Sequence, residues 1–290
     1  MEQDKSEKIE QDLRQIADML LLNGTLTECP GLVNGKMGIA IFFFHYAKHT
    51  GIELYEDYAI DLINEMKSQL HNNSPADYKT GLAGIGVGID YLITNRFLND
   101  DNDIFEDFDE RMYRAVIYDP WDDFSLYDGI TGYGRYWMRR LRKQMSSMQQ
   151  ARECLLHIAE WITEKITDIP EKEQTDLYCF LQDLLQIRGF EIYHVLLEKC
   201  RSWNLSLKNN SQCFNRLGDS AAGNFVRMYQ SGYYFNSTQD DEIDNALKQI
   251  PDFDMEKSLF ETGLFNGYAG EGMLRLTALN QENISWMQLI

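Results

Sequence analysis

Gly263-Leu264-Phe265-Asn266-Gly267-Tyr268-Ala269-Gly270-Glu271-Gly272-Met273, with Leu274, Leu276 and Ala278 behind it, reads as a polar residue before a glycine turn, then a helix too apolar to face water. With the glycine after the polar residue as anchor, the phrase recurs around Gly35 (Asn34-Gly35-Lys36-Met37-Gly38), Gly81 (Thr80-Gly81-Leu82-Ala83-Gly84) and Gly129 (Asp128-Gly129-Ile130-Thr131-Gly132). A weaker copy, Asp219-Ser220-Ala221-Ala222-Gly223, has Ser220 at the anchor. Successive anchors lie 46, 48, 91 and 47 residues apart. The value 91 is about two of the others, so a sixth unit without glycines is expected near position 175, where Thr175-Asp176-Leu177-Tyr178-Cys179-Phe180-Leu181 offers a cap and an apolar helix. Self-similarity at a fixed period of this size marks a repeat architecture.

The segments between the phrases have a different character. Ile9, Leu13, Ile16, Ala17, Leu20 and Leu21 recur at three- and four-residue intervals between Ser6 and Leu22, which is the stripe of an amphipathic helix closed by Asn23-Gly24. Segments 55–70, 104–118, 147–166, 190–200 and 240–250 repeat that character, whereas 37–48, 82–93, 130–141, 176–187, 221–228 and 268–279 are the apolar partners. Nothing reads as a strand of consequence. An all-α fold is expected, an α/α toroid in which a closed ring of about six inner helices is enclosed by six outer ones. Closure is preferred over an open solenoid because the last inner helix is as apolar as the first and carries no polar cap. The repeat leaves no linker, so 1–290 reads as a single domain.

Composition narrows the function. At 44% hydrophobic and 25% charged residues the chain is an ordinary globular protein. Its net charge of −19 argues against nucleic acid, which needs clustered Lys and Arg, and suits a basic partner. No apolar run approaches a membrane span, and the charged segment Met1–Glu10 has no signal-peptide core. The odd set Cys29, Cys154, Cys179, Cys200 and Cys213, without close pairs, reads as thiols of a reducing compartment, so a cytoplasmic location is expected. Arg139-Arg140-Leu141-Arg142-Lys143 reads as basic residues complementing a helix C-terminus. The acidic stretch from Asn99 to Asp103 lacks the spacing of a calcium loop and reads as a solvated face.

The residues before the anchors, Asn34, Thr80, Asp128, Asp219 and Asn266, are of types that accept bonds from the unpaired N–H groups at a helix start, and capping is their expected role. The glycines are expected to allow close approach and positive φ. In a closed ring the inner helices would all begin at one end, bringing free N–H groups and positive dipole ends to a single mouth. That mouth would be lined by these five residues with Tyr127, Tyr133, Arg216, Phe265 and Tyr268, a polar and aromatic concavity suited to a ligand.

The Gly-x-x-Gly phrase at this spacing, ending in Asn-Gly-Tyr-Ala-Gly-Glu-Gly, resembles the lanthionine synthetase C-like (LanC-like) family. The resemblance implies an α/α toroid and, for the family's cyclases, zinc that activates cysteine thiols for addition to dehydrated Ser or Thr in a precursor peptide. The family holds zinc with the cysteine of Trp-Cys-Tyr-Gly-x-Pro-Gly and the pair in Cys-His-Gly-x-Ala-Gly. Laid on this chain, those ligands fall on Gly218, Phe265 and Asn266, none of which supplies a thiolate or imidazole. A further family histidine, the acid/base candidate, corresponds to Asp128. The expectation is therefore a LanC-like protein without bound zinc or other cofactor, a pseudoenzyme that binds a peptide or works beside a peptide-modifying enzyme. Two alternatives stand beside it. One is a glycan-active enzyme using Asp128 and Asp219 as paired carboxylates, with Asp122, Asp123 and Glu271 nearby and Trp121 and Tyr133 as sugar platforms. The other is a structural scaffold with contact surface at Trp121 and Tyr233-Tyr234-Phe235.

Overall fold

A computed structural model of the chain describes residues 2–71, 73–99, 105–119, 122–142, 148–203, 220–236, 240–253, 261–280 and 284–290. Among them are twelve α-helices and no strand: α1 (Glu2–Asn23), α2 (Lys36–Thr50), α3 (Glu53–Gln69), α4 (Leu82–Thr94), α5 (Glu106–Ile117), α6 (Ile130–Arg142), α7 (Met148–Lys165), α8 (Glu171–Leu184), α9 (His194–Cys200), α10 (Ala221–Phe235), α11 (Asp240–Leu247) and α12 (Tyr268–Leu279). The all-α expectation holds.

Odd- and even-numbered helices differ as their sequences dictate. In α3 only Ala59, Leu62, Ile63 and Met66 are buried, the i, i+3, i+4, i+7 stripe of a helix with one wet face. In α2 every residue from Lys36 to Ala47 is buried, and in α4 every residue from Leu82 to Leu92. Such helices have no surface left for solvent and are stable only inside a layer of others. α2 stops at Gly51, whose φ of 70° closes the last turn with a bond from its N–H to the Ala47 carbonyl.

Two compact units contain these elements: Met1–Ser74 with Asn215–Ile290, and Pro75–Phe214. In the second, α4 packs on α6 and α6 on α8, while α7 packs on α5 and α6. In the first, α10 packs on α12, and α12 packs on both α1 and α2. The last repeat thus takes the first as its neighbour, the relation that a ring requires of its two ends. After α12 a 3₁₀ turn, Ser285–Leu289, buries Trp286, whose indole N–H donates to Thr277 Oγ1 at 2.9 Å.

Three boundaries depart from the sequence expectation. The helix of the unit without glycines begins at Glu171, five residues before Asp176. α10 runs on to Phe235 instead of ending at residue 228, so Tyr233-Tyr234-Phe235 forms its last turn. Arg140 does not sit in solvent at a helix end: it is 2% exposed and clasps Asp109 of α5 with Nε–Oδ1 at 2.9 Å and Nη2–Oδ2 at 2.7 Å, with Tyr136 Oη donating to the same carboxylate at 2.5 Å. A matching cluster in the other unit joins Arg275 of α12 to Glu271 at 2.7 Å and to Asp12 of α1 at 3.2 Å. A charge removed from water needs such partners.

Candidate functional site

Each glycine-led helix starts by one device. The N–H of its first residue donates to a carbonyl seven residues earlier: Lys36 to Cys29 at 2.9 Å, Leu82 to Pro75 at 2.9 Å, Ile130 to Asp123 at 2.8 Å and Tyr268 to Glu261 at 3.0 Å. The second N–H does the same where Met37 bonds Pro30, Ala83 bonds Ala76 and Ala269 bonds Thr262, at 3.2–3.3 Å. The loop folds back over the helix end and satisfies with backbone the donors that a helix start leaves open.

This arrangement corrects two expectations. Gly35, Gly81 and Gly267 are the N-cap residues and no side chain caps these helices, so Asn34, Thr80 and Asn266 are not caps. Asp128 is exposed, and the first donor of its helix is taken by the Asp123 carbonyl. Nor are the N–H groups free to converge on a ligand. In the weaker copy the cap is Ser220, the residue at the anchor itself and not the one before it: its Oγ accepts from Gly223 N–H at 2.9 Å. The anchor glycines also serve differently. Gly35, Gly81 and Gly267 have φ of −142°, −107° and −123°, which any residue adopts. What they need is room, since a methyl group on any of them would collide with the folded-back carbonyls of Cys29, Pro75 or Glu261.

Adjacent loops are laced in one register. Lys79, two residues before its anchor, donates its N–H to the carbonyl of Tyr127, two before the next anchor, at 3.1 Å. Phe265, two before Gly267, donates to Val33, two before Gly35, at 3.0 Å. The last repeat therefore meets the first as the second meets the third. The same register locates the unit without glycines. Gly86 lies against the Tyr136 ring and Gly272 against the Phe42 ring, each aromatic seven residues after its anchor, and Gly134 lies against Phe180. That sets Glu173 at the anchor and Asp176 where the other five units have glycine. Both carboxylates are buried and reach the preceding loop, Glu173 accepting from Phe124 N–H at 2.9 Å and Asp176 from Leu126 N–H at 2.8 Å.

The expected site residues fall into two groups. In the unit of residues 75–214, Thr80 is tied to Asp77 through its N–H (2.6 Å) and hydroxyl (3.0 Å), Tyr127 is buried, Asp128 is exposed, and Tyr133 is 8% exposed at the first turn of α6. Burial, followed by the charges of Asp77, Asp119, Asp123 and Asp128, pushes the Tyr133 hydroxyl up to about 12. In the other unit Asn34 is half-buried with its Oδ1 lacking a partner among the described residues. There Phe265 and Tyr268 are buried, and Asn266 has a left-handed φ of 51° and accepts at Oδ1 from the Ser220 hydroxyl at 3.1 Å. Arg216, Gly218, Asp219, Trp121 and Cys213 lie outside the described residues, as does Asp101–Asp103, most of the acidic stretch. Sequence reading passed over Asp77 and placed Asp123 only near the paired acids of the glycan-active alternative, while it overlooked Glu173 and took Asp176 for part of a capping stretch. The first two carry a legible signal, since Asp77-x-x-Thr80 and Asp123-x-Ser125 are side-chain-to-backbone turns.

Helices led by glycine, with fold-back loops laced at a period in the mid-forties, define a class of all-helical repeat protein. A family model described as "Lanthionine synthetase C-like protein" matches residues 28–176, and the chain belongs to that family. No curated protein matches the chain. The matched span opens beside Cys29, where the first fold-back loop begins, and closes at Asp176. The repeats on which the resemblance lays the zinc ligands follow it. At two of those positions the donor set does not fit a zinc site, because Phe265 presents a buried hydrocarbon ring and the Asn266 amide is bonded to Ser220.

Proposed function

We propose that this protein binds a peptide without the zinc-dependent cyclase chemistry of its family, acting in peptide maturation beside a modifying enzyme. The observation that carries this reading is the chemistry at Phe265 and Asn266: a ring in the core and an amide engaged by Ser220, where a thiolate and an imidazole would be required. Two buried thiols support it. Burial raises Cys154 far above the ordinary thiol range and pushes Cys200 up to about 12, so neither is ionised as a free thiol near neutral pH. The net charge of −19 suits a basic peptide, and a reducing cytoplasm suits the cysteines. The paired-carboxylate alternative retains Asp128 as an exposed acid, while the partner it names, Asp219, lies outside the described residues.

The test is elemental analysis of the purified protein, with titration of labelled peptides followed by anisotropy. Substoichiometric zinc and saturable binding of basic peptides are expected. One tightly held zinc per chain would sink the proposal.

A further inference from the structure

The loops that lead into α4 and α6 bring several acids to one place. The N–H groups of Tyr78 and Lys79 bond the Tyr127 carbonyl at 3.0 and 3.1 Å, which sets Asp77 beside the loop that carries Asp123 and Asp128. Gly132 lies against Tyr78, so Tyr133, the next residue, begins its turn of α6 over the same junction. Two of these acids spend part of their capacity locally. Asp77 accepts from Thr80, while Asp123 Oδ1 accepts from the Ser125 N–H (2.8 Å) and hydroxyl (2.6 Å), leaving its Oδ2. Asp128 is exposed and makes no hydrogen bond among the described residues. Asp122 stands apart, because Lys165 Nζ lies 3.6 Å from it.

A second observation lies in Tyr133 itself. The residue is 8% exposed, and its hydroxyl, which is not sealed from solvent, makes no hydrogen bond among the described residues. This hydroxyl faces carboxylates, and Asp119 adds to the negative potential around it. Among the described residues no three acids stand close enough to share a metal ion. An extended cation, whose several N–H groups point in different directions, can reach acids on two loops at once.

From this the geometry points to a subsite at the start of α6 for the guanidinium or ammonium of a basic peptide side chain, received by Asp128, Asp123 and Asp77 with the Tyr133 hydroxyl as acceptor. The subsite rests on the peptide-binding reading and gives it a chemical class. A guanidinium suits it best, since its five donors fan out in a plane and it stacks on aromatic faces.

The experiment uses the full-length protein and an acetylated, amidated pentapeptide with one arginine among alanines, compared with the same peptide carrying citrulline, an isostere without charge. At low salt the arginine peptide is expected to bind about tenfold tighter, the scale of one charge-assisted contact. Asp123→Asn with Asp128→Asn, which removes two of the receiving charges and keeps a side-chain oxygen for Ser125, should erase most of that preference without lowering the melting temperature, and Tyr133→Phe should reduce it. Glu53→Gln with Glu56→Gln, which removes two exposed charges from α3, should leave it intact. Equal binding of the two peptides would overturn the subsite while the peptide-binding reading stands. Equal losses from the two double variants would overturn it as well, showing attraction to net charge alone. Absence of binding by either peptide would remove the subsite and the reading beneath it.

Discussion

Glycine at an anchor position is held there by a neighbour's carbonyl rather than by its own dihedral angles, and this distinction can be measured. Gly81→Ala would drive a methyl group into the Pro75 carbonyl, while Gly51, at φ 70°, has nothing within 4 Å of the same methyl group. Gly81→Ala should therefore cost about 3 kcal/mol or more, as overpacking against backbone does. Gly51→Ala should cost only the local strain of about 1 kcal/mol. Urea denaturation of the two variants separates them, and equal losses would contradict the space argument. A second residue-scale effect concerns His45, which is buried on α2 and lowered to about 3 by burial first and then by Lys48. The unfolded chain takes up this proton below its ordinary value of 6.5 and the folded chain does not until about 3. Stability from the neutral imidazole is thus complete above pH 6.5 and is lost as the pH falls through that window, at up to about 1.4 kcal/mol per pH unit. His45→Gln should flatten the slope of the urea midpoint between pH 6.5 and 4.5. A variant as steep as the parent would count against this account.

At the scale of the element, the unit without glycines exchanges close approach for carboxylates. Asp176→Ala leaves the buried Leu126 N–H without its acceptor and should destabilise the protein by about 1–3 kcal/mol, read from thermal melts. Losses under half a kilocalorie would mean that water or another acceptor replaces the carboxylate. Arg140→Met strands Asp109 in the core and should cost about 3–5 kcal/mol, whereas adding Asp109→Leu should recover most of the loss. If the double variant is no better than the single, the pair is not what sustains the α5–α6 packing. These elements also show where sequence reading ends. The hydrophobic period and the glycine phase sufficed for the helices and their alternation, because burial on all sides requires a run such as Ile39–Phe44. They did not reveal the start of α8, since Glu173 and Asp176 have the composition of an exposed turn and their burial follows from the Phe124 and Leu126 N–H groups of another repeat. The capping role assigned to Asn34, Thr80 and Asn266 failed for a similar reason. Side-chain type announced an available acceptor, but a backbone carbonyl seven residues back had already filled the place.

For the whole molecule, the two chain ends meet in one compact unit, where α12 covers α1 and α2 and Thr27 Oγ1 lies 2.9 Å from Thr262 Oγ1. A chain ended after Ile250 should lose cooperative unfolding and bind a hydrophobic dye, because the apolar faces of α1 and α2 would open to water. A truncated form that melts as sharply as the parent would contradict this coupling. Of the candidate site, the polar and aromatic residue types were legible from the repeat, but the free helix-end donors imagined for it were not there, as the fold-back loops consume them. That consumption has a further effect. Because main-chain atoms close each glycine-led helix start, the position just before its anchor is released from the duty of capping, and it holds Asn34, Thr80, Asp128 and Asn266 in turn. Such a scaffold resembles a keyboard: the frame stays rigid while individual keys are exchanged, so recognition can drift from metal to cation, or from one peptide to another, by single substitutions that leave folding untouched.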